Sequence, residues 1–279
     1  MNFMKMQGLG NDFVIVNGFR QSIPEDISKL AQMICHRQFG VGADGLVVVL
    51  PSEQADLRMR IFNPDGSEPE MCGNAIRCVA KFAYTNGLAK DKGTTVETLA
   101  GIIRPELIFK DGCVSGIRVD MGEPRLEPAD VPVNTGGKQV VSEQLIVEGE
   151  KLYVTAVSMG NPHCLVFVED ILHAPVKTLG PKLETHNWFP VKTNVEFIQV
   201  LNQNEVKMRV WERGVGETLA CGTGACATVV ACVLNGKTGR EITVHLTGGD
   251  LLLEWAENNH VFMTGPAEEV FEGMYIAMK

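Results

Sequence analysis

No stretch of the chain approaches the roughly 20 consecutive apolar residues that span a bilayer. The opening Met1-Asn2-Phe3-Met4-Lys5-Met6 also lacks the apolar run of a secretory signal. A membrane partner is therefore not expected, and a cytoplasmic protein is. Excess basic charge is missing too: 25 Lys and Arg stand against 34 Asp and Glu, a net of −9, which argues against nucleic acid or an anionic surface as the main partner. None of the eight cysteines has C-x-x-C spacing, since Cys72 and Cys78 are six positions apart and Cys221 and Cys226 five; no metal site is expected. The stretch Gly40-Val41-Gly42-Ala43-Asp44-Gly45 lacks the lysine of a P-loop and a full G-x-G-x-x-G, which rules out a phosphate loop. A reducing compartment makes the cysteines thiols rather than disulfides.

What the chain does have is a duplicated layout. Cys72-Gly73 and Cys221-Gly222 are separated by an offset of 149, Asn86-Gly87 and Asn235-Gly236 by the same 149, and Gly10-Asn11 and Gly160-Asn161 by 150. Single glycines coincide by chance; landmarks kept in order over some 75 positions indicate two similar halves. With 45% hydrophobic and 21% charged residues in 279, there is enough apolar material for a core in each.

The local patterns agree. Asp12–Asn17, Leu46–Leu50, His163–Val168 and Val195–Leu201 are apolar, valine-rich strand candidates. Leu57–Phe62 and Val206–Trp211 alternate and lead into the two cysteine segments, while Cys113–Val119 and Glu241–Leu246 follow as further strands. Ser22-Ile23-Pro24-Glu25 has the form of a capping box, opening a helix with Ile27, Leu30, Ala31 and Ile34 on one face. After Cys72 and after Cys221 the apolar spacing is helical, and each Asn-Gly predicts a left-handed C-terminal cap. Both helices are rich in alanine and cysteine, as a helix closely wrapped by strands requires. Gly122, Pro124 and Pro128 mark a seam. The expected halves are 1–122 with 267–279, carrying Cys72, and 123–266, carrying Cys221; a last strand over 269–278 would return to the first half.

Six cysteines read as packing residues: Cys35, Cys78, Cys113, Cys164, Cys226 and Cys232 lie in apolar helical or strand-like runs. Cys72 and Cys221 differ because each precedes a glycine at a helix start, where amides are unpaired and a thiol's pKa is lowered. Two such thiols could invert a carbon acid, one removing the proton and the other delivering one on the opposite face. The amides would stabilise charge developing on the adjacent carboxylate. His163 could accept a thiol's proton or simply pack. Glu212-Arg213 could be a recognition pair, with Arg213 gripping a carboxylate and Glu212 holding an ammonium or orienting a thiol, or it could be an exposed ion pair. Asn11, Asn63, Asn74, Asn161 and Asn194 are either turn formers or donor–acceptor contacts for a zwitterion.

The segments Gly8–Phe13, Phe62–Ser67, Glu70–Cys78, Gly160–His163, Trp211–Gly214 and Leu219–Gly224 together resemble the diaminopimelate epimerases. The cysteine motifs alone would also admit relatives such as proline racemase. The resemblance implies an α+β fold of two pseudo-symmetric halves, each a mostly antiparallel sheet or barrel wrapped around a central helix, with the site in the cleft between them. It also implies cofactor-independent interconversion of LL- and meso-diaminopimelate for lysine and peptidoglycan synthesis, in a homodimer that binds only this small substrate. Cys72 and Cys221 would be the acid/base thiols, assisted by His163 and Glu212. Asn11, Asn63, Gly73, Asn74, Asn161, Asn194, Glu212, Arg213, Gly222 and Thr223 would bind substrate. Gly45 departs from the glutamine that some members carry there.

Overall fold

A computed structural model describes residues 1–89 and 93–276. The chain divides into two compact units, one of Met1–Asp120 together with the chain from Thr264 onward, the other of Met121–Met263.

The first unit opens with a hairpin, β1 (Asn2–Gly8) and β2 (Asn11–Asn17). Its two-residue turn, Leu9-Gly10, has φ of 57° and 84°, the left-handed geometry that matches strand twist. Helix α1 (Ile27–Ile34) buries Ile27, Leu30, Ala31 and Ile34, the expected face. Its cap is not the expected one. Asp26, not Ser22, accepts the Lys29 amide at 2.9 Å. Pro24 bars the preceding Ile23 from helical geometry, so the helix cannot begin that early. Strands β3 (Gly45–Leu50) and β4 (Leu57–Phe62) follow, β3 lying parallel to β2 and β4 antiparallel to β3. Helix α2 (Gly73–Thr85), short strands β5 (Val96–Thr98) and β6 (Gly101–Ile103), and the hairpin β7 (Glu106–Lys110) and β8 (Cys113–Asp120) complete this part. Cys113 is exposed at the start of β8: its position at a hairpin turn puts it outside the core expected for it.

The second unit repeats the plan. Strands β9 (Glu143–Val147), β10 (Glu150–Ser158) and β11 (Pro162–Phe167) are antiparallel, and helix α3 (Val176–Glu184) crosses over to β12 (Asn194–Asn202), parallel to β11. Then come β13 (Glu205–Glu212), β14 (Gly216–Thr218), helix α4 (Gly222–Leu234), and β15 (Glu241–Leu246), β16 (Gly249–Trp255) and β17 (Val261–Gly265). The parallel pairs β2·β3 and β11·β12 are the same step in the two units, each with a helix supplying the crossover that parallel strands need. The chain ends with β18 (Glu268–Met274), antiparallel to β1 at the edge of the first sheet. The expected strand stops at residue 274, and its final positions, 277–278, lie outside the described residues.

Each unit is built round one helix. α2 packs against β1, β2, β4, β7 and β8, and α4 against β10, β11, β12, β15 and β16. Such wrapping buries nearly the whole circumference: Ala75, Cys78, Ala80 and Ala83 in α2, and every residue from Gly224 to Cys232 in α4. Small side chains let backbones approach without voids. Asn86 and Asn235 cap the C-termini, followed by Gly87 and Gly236 at φ of 68° and 62°.

A charged cluster fastens the β1–β2 hairpin to the start of β3. The buried Lys5 ammonium lies 2.6 Å from Asp12 and also meets the Gly42 carbonyl, while Arg37 bridges Asp12 and Asp44. Burial opposes ionisation of Asp12, but hydrogen bonds from Arg37 and Lys5 outweigh it and hold the carboxyl below its usual range. The stabilisation is therefore present above that range and is lost as pH falls through the lowered value. Asp12→Asn leaves the Lys5 charge buried and uncompensated and is expected to cost about 3 kcal/mol in urea unfolding at neutral pH, with the loss shrinking in acid. A pH-independent difference between variant and wild type would show that the pairing does not stabilise the fold.

Candidate active site

Cys72 and Cys221 occupy equivalent places. Each is the N-cap of its unit's central helix, with extended backbone: φ −140° and ψ 120° at Cys72, φ −127° and ψ 111° at Cys221. The first helical bonds run from Ile76 to the Cys72 carbonyl and from Ala225 to the Cys221 carbonyl, 2.9 and 3.0 Å. The amides of the first turn are therefore directed at the space beside each thiol, a ready site for an anion.

In the first unit, the Leu9-Gly10 turn delivers Asn11 to the start of α2. Its Oδ1 accepts from Asn74 Nδ2 at 3.0 Å and lies 3.9 Å from Cys72 Sγ. Its own Nδ2 donates to Asp44 at 2.8 Å, so the charged cluster below fixes the amide's orientation. Arg77, fully buried one turn along α2, donates to Gly73 O and Asn74 Oδ1 at 3.1 and 2.9 Å. Asn11, Cys72, Gly73 and Asn74 thus come together. Asn63 follows β4 and donates to Ser67 Oγ at 2.9 Å within the Asn63–Ser67 turn, the turn-forming alternative. Gly45 opens β3 opposite Phe13. A Cβ there would sit 3.2 Å from the Phe62 carbonyl and 3.3 Å from the Phe13 ring, so the departure from glutamine fits a tightly packed strand.

In the second unit, Asn161 Nδ2 donates to Thr223 Oγ1 at 3.3 Å, and Asn161 Oδ1 lies 3.0 Å from His163 Nε2. Cys221 Sγ is 3.5 Å from Thr223 Oγ1 and accepts the Gly224 amide at 3.4 Å. Glu212, at the end of β13, accepts from the Thr218 hydroxyl and lies within electrostatic reach of Cys221. Asn194 is a strut: Nδ2 donates to Pro162 O at 3.0 Å and Oδ1 accepts the Arg213 amide at 2.9 Å. That bond fixes the backbone from which the exposed Arg213 side chain extends. Asn161, His163, Glu212, Cys221, Gly222 and Thr223 form one constellation, with Asn194 and Arg213 on its border.

Electrostatics correct one expectation. A helix start lowers a thiol's pKa, yet the Cys221 thiol is pushed well above its ordinary value, by burial first and then by the charges of Glu212 and Glu196. The bonds from Thr223 and Gly224 work in the helix's favour but do not prevail. Burial likewise raises Glu212, with Glu196 adding to the shift. Packing cysteines behave as expected: burial pushes the Cys35, Cys78 and Cys232 thiols up to about 12.

Two residues escaped sequence reasoning. Glu196 is fully buried in β12, its Oε1 2.7 Å from His163 Nδ1. Its signal was a carboxylate inside the apolar run Val195–Leu201. Gly224 stands where a Cβ would fall 2.6 Å from Glu196 Oε1 and 3.3 Å from Cys221 Sγ. Only glycine lets α4 start this close to both. Among the described residues, no group of three or more His, Cys, Asp or Glu is placed to hold a metal ion, and no helix is long and apolar enough to cross a membrane.

Comparison with known proteins places the chain among similar sequences. The profile of the diaminopimelate epimerase family matches residues 3–127 and 155–270. The diaminopimelate epimerase of Moorella thermoacetica is 61% identical over 274 residues, 98% of each chain. That of Pelotomaculum thermopropionicum is 60% identical over 276 residues, 99% of each. Among solved structures, a phenazine biosynthesis protein of the PhzF family from Bacillus anthracis superposes with a TM-score of 0.71 at 18% identity, covering 100% of this chain and 99% of that one. A hydroxyproline epimerase from Agrobacterium vitis, with bound trans-4-hydroxy-L-proline, gives 0.66 at 16% identity, covering 98% and 91%. At such identities these two share the fold.

Removing the Glu212 charge removes one of the causes that raise the Cys221 thiol. Glu212→Gln is therefore expected to move the pH midpoint of Cys221 alkylation, followed by peptide mapping, to lower pH. A midpoint that stays in place or moves to higher pH would show that the carboxylate does not govern this thiol.

Proposed function

The chain belongs to the diaminopimelate epimerase family, and from that premise we propose that it interconverts LL- and meso-diaminopimelate by two-thiol acid/base catalysis, in lysine and peptidoglycan synthesis. The observation that carries this reading is the equivalent placement of Cys72 and Cys221 as extended N-caps of two helices. The α-hydrogen of an amino acid is barely acidic, and its loss leaves charge on the neighbouring carboxylate. First-turn amides at a helix N-terminus are preorganised donors for that charge. A thiolate on one face removes the proton while a thiol on the other returns one, so configuration inverts and the protein ends with the roles of the thiols exchanged. The chemistry asks nothing of a cofactor: base, acid and charge stabilisation all come from the chain's own groups.

Cys221 enters as the thiol, consistent with burial and two nearby carboxylates. His163 and Glu212 assist it. Asn11, Asn74, Asn161 and Thr223 orient the zwitterion at the reacting centre. Arg213, its backbone fixed by Asn194, receives the distal amino-acid end, which distinguishes diaminopimelate from a substrate with one such end. The working form in this reading is a cytoplasmic homodimer. Val270, Phe271 and Met274 are exposed on the edge strand β18, which supports pairing of two copies.

Incubation of the protein with LL-diaminopimelate in deuterium oxide, without added cofactor, is expected to yield the meso form with label at the inverted carbon. Cys72→Ser and Cys221→Ser are each expected to lower kcat by about 10²- to 10⁴-fold, while one-sided exchange persists. Full turnover by either variant would end the two-thiol reading. Arg213→Ala is expected to raise KM for diaminopimelate; an unchanged kcat/KM would remove that side chain from substrate recognition.

A further inference from the structure

The two thiol sites are built alike but are not chemically alike. In the first unit Phe13 faces Gly45 across the parallel pair β2·β3, and in the second His163 faces Asn194 across β11·β12. Two residues further along, Val47 therefore corresponds to Glu196, and one turn into the helices Ala75 corresponds to Gly224. Where the first unit has a phenyl ring and a valine, both buried, the second has an imidazole and a carboxylate, both fully buried. An imidazole and a carboxylate in these two core positions have no packing role that phenylalanine and valine do not fill in the other unit.

The dyad's geometry is specific. His163 Nδ1 lies 2.7 Å from Glu196 Oε1, and neither side chain is accessible to solvent. An ionised carboxylate only accepts, so the nitrogen facing it carries the hydrogen. Nε2 faces Asn161 Oδ1, itself an acceptor, so the ring form that satisfies both contacts is the imidazolium, with hydrogen on each nitrogen; Asn161 Nδ2 in turn donates to Thr223, beside Cys221. The second oxygen, Glu196 Oε2, is buried without a hydrogen-bond partner. Its burial costs free energy that one bond to His163 does not recover in full. The groups from neighbouring elements that lie within electrostatic reach of the dyad are Glu212 of β13 and Cys221 at the head of α4; on β11 itself Cys164, next to His163, feels the Glu196 charge. The absent Cβ of Gly224 is what admits the carboxylate beneath the helix start.

Resting on the epimerase reading above, we propose that Glu196 is a positioning residue that keeps His163 protonated on Nδ1 and so presents Nε2 to the Cys221 end of the site. Glu196 does not touch substrate; it acts through the imidazole. A carboxylate behind a histidine sets which ring nitrogen exchanges protons and favours the imidazolium when it forms. In the first unit Phe13 and Val47 occupy the corresponding places, and Asn11 Oδ1 lies 3.9 Å from the Cys72 thiol. The surroundings of the two thiols therefore differ, with the imidazole and its carboxylate on the Cys221 side.

The test uses the intact protein labelled with ¹⁵N-histidine, with the His163 ring signals assigned by difference from His163→Gln. In the unliganded wild type at neutral pH, Nδ1 is expected to carry hydrogen. In Glu196→Gln, which keeps the shape but not the charge, the ring is expected to lose this fixed state. At the same time kcat should fall about 10- to 100-fold, with a shifted pH profile and KM changed far less. A bare Nδ1 in the wild type overturns the proposal outright, whether or not any variant folds. A folded Glu196→Gln protein with an unchanged ring state, or with wild-type kcat and pH profile, overturns it as well. The ring measurement needs no substrate, so it stands apart from the epimerase reading: failure to epimerise diaminopimelate would end that reading and leave the ring result intact.

Discussion

Both sites depend on a helix that begins inside a sheet's embrace, with a cysteine as its cap. The N-terminus of a helix is where backbone amides lack intrahelical partners, and close packing by strands keeps that end organised. The wrapping is possible because α2 and α4 present glycine, alanine and cysteine to their neighbours. A large side chain at one of these small positions, such as Ala75 or Ala80 in α2 or Ala227 in α4, would push the neighbouring strands away. The thiol, the amides and the thin helix face are thus one requirement seen at three scales.

On that shared frame the two units diverge in charge. Around α2 the buried ionic group is a cation, Arg77, hydrogen-bonded to Gly73 and Asn74 at the helix start. Around α4 they are carboxylates, the fully buried Glu196 and the half-buried Glu212, with His163 paired to Glu196. The helix N-terminus favours thiolate in both, but near α4 burial and negative charge outweigh it. The pull of a helix end is worth about 1 kcal/mol in ordinary settings, and desolvation of a buried anion exceeds that readily. A two-base inversion needs one thiolate and one thiol, and unequal surroundings are a direct way to hold them in different states.

Much of this was legible from local patterns. The strands over Leu46–Leu50 and Leu57–Phe62 follow from apolar runs and alternation. The helices after Cys72 and Cys221 follow from spacing, and their ends from Asn-Gly. The duplicated landmarks indicated that one plan is used twice. Ser22 and Glu25 match a capping box, but Pro24 between them forbids the helix and Asp26 takes the role. The apolar strand around Cys113 suggests a core position, but its own place at the hairpin turn exposes it. Glu196 went unread because a lone carboxylate in an apolar strand names no partner until β11 is laid beside β12.

Residue order by itself determined which segments are strands or helices, which cysteines stand at helix starts, and which side chains were candidates for chemistry, since hydrophobic period, caps and turn residues act over a few positions along the chain. The tertiary structure alone decided that Glu196 meets His163, that Asp44 orients Asn11, that Gly224 leaves room for a buried carboxylate, and that burial and nearby carboxylates push the Cys221 thiol up. Those outcomes turn on distance and burial between groups remote in sequence, and electrostatic balance in a low-dielectric interior is set by such neighbours rather than by local pattern.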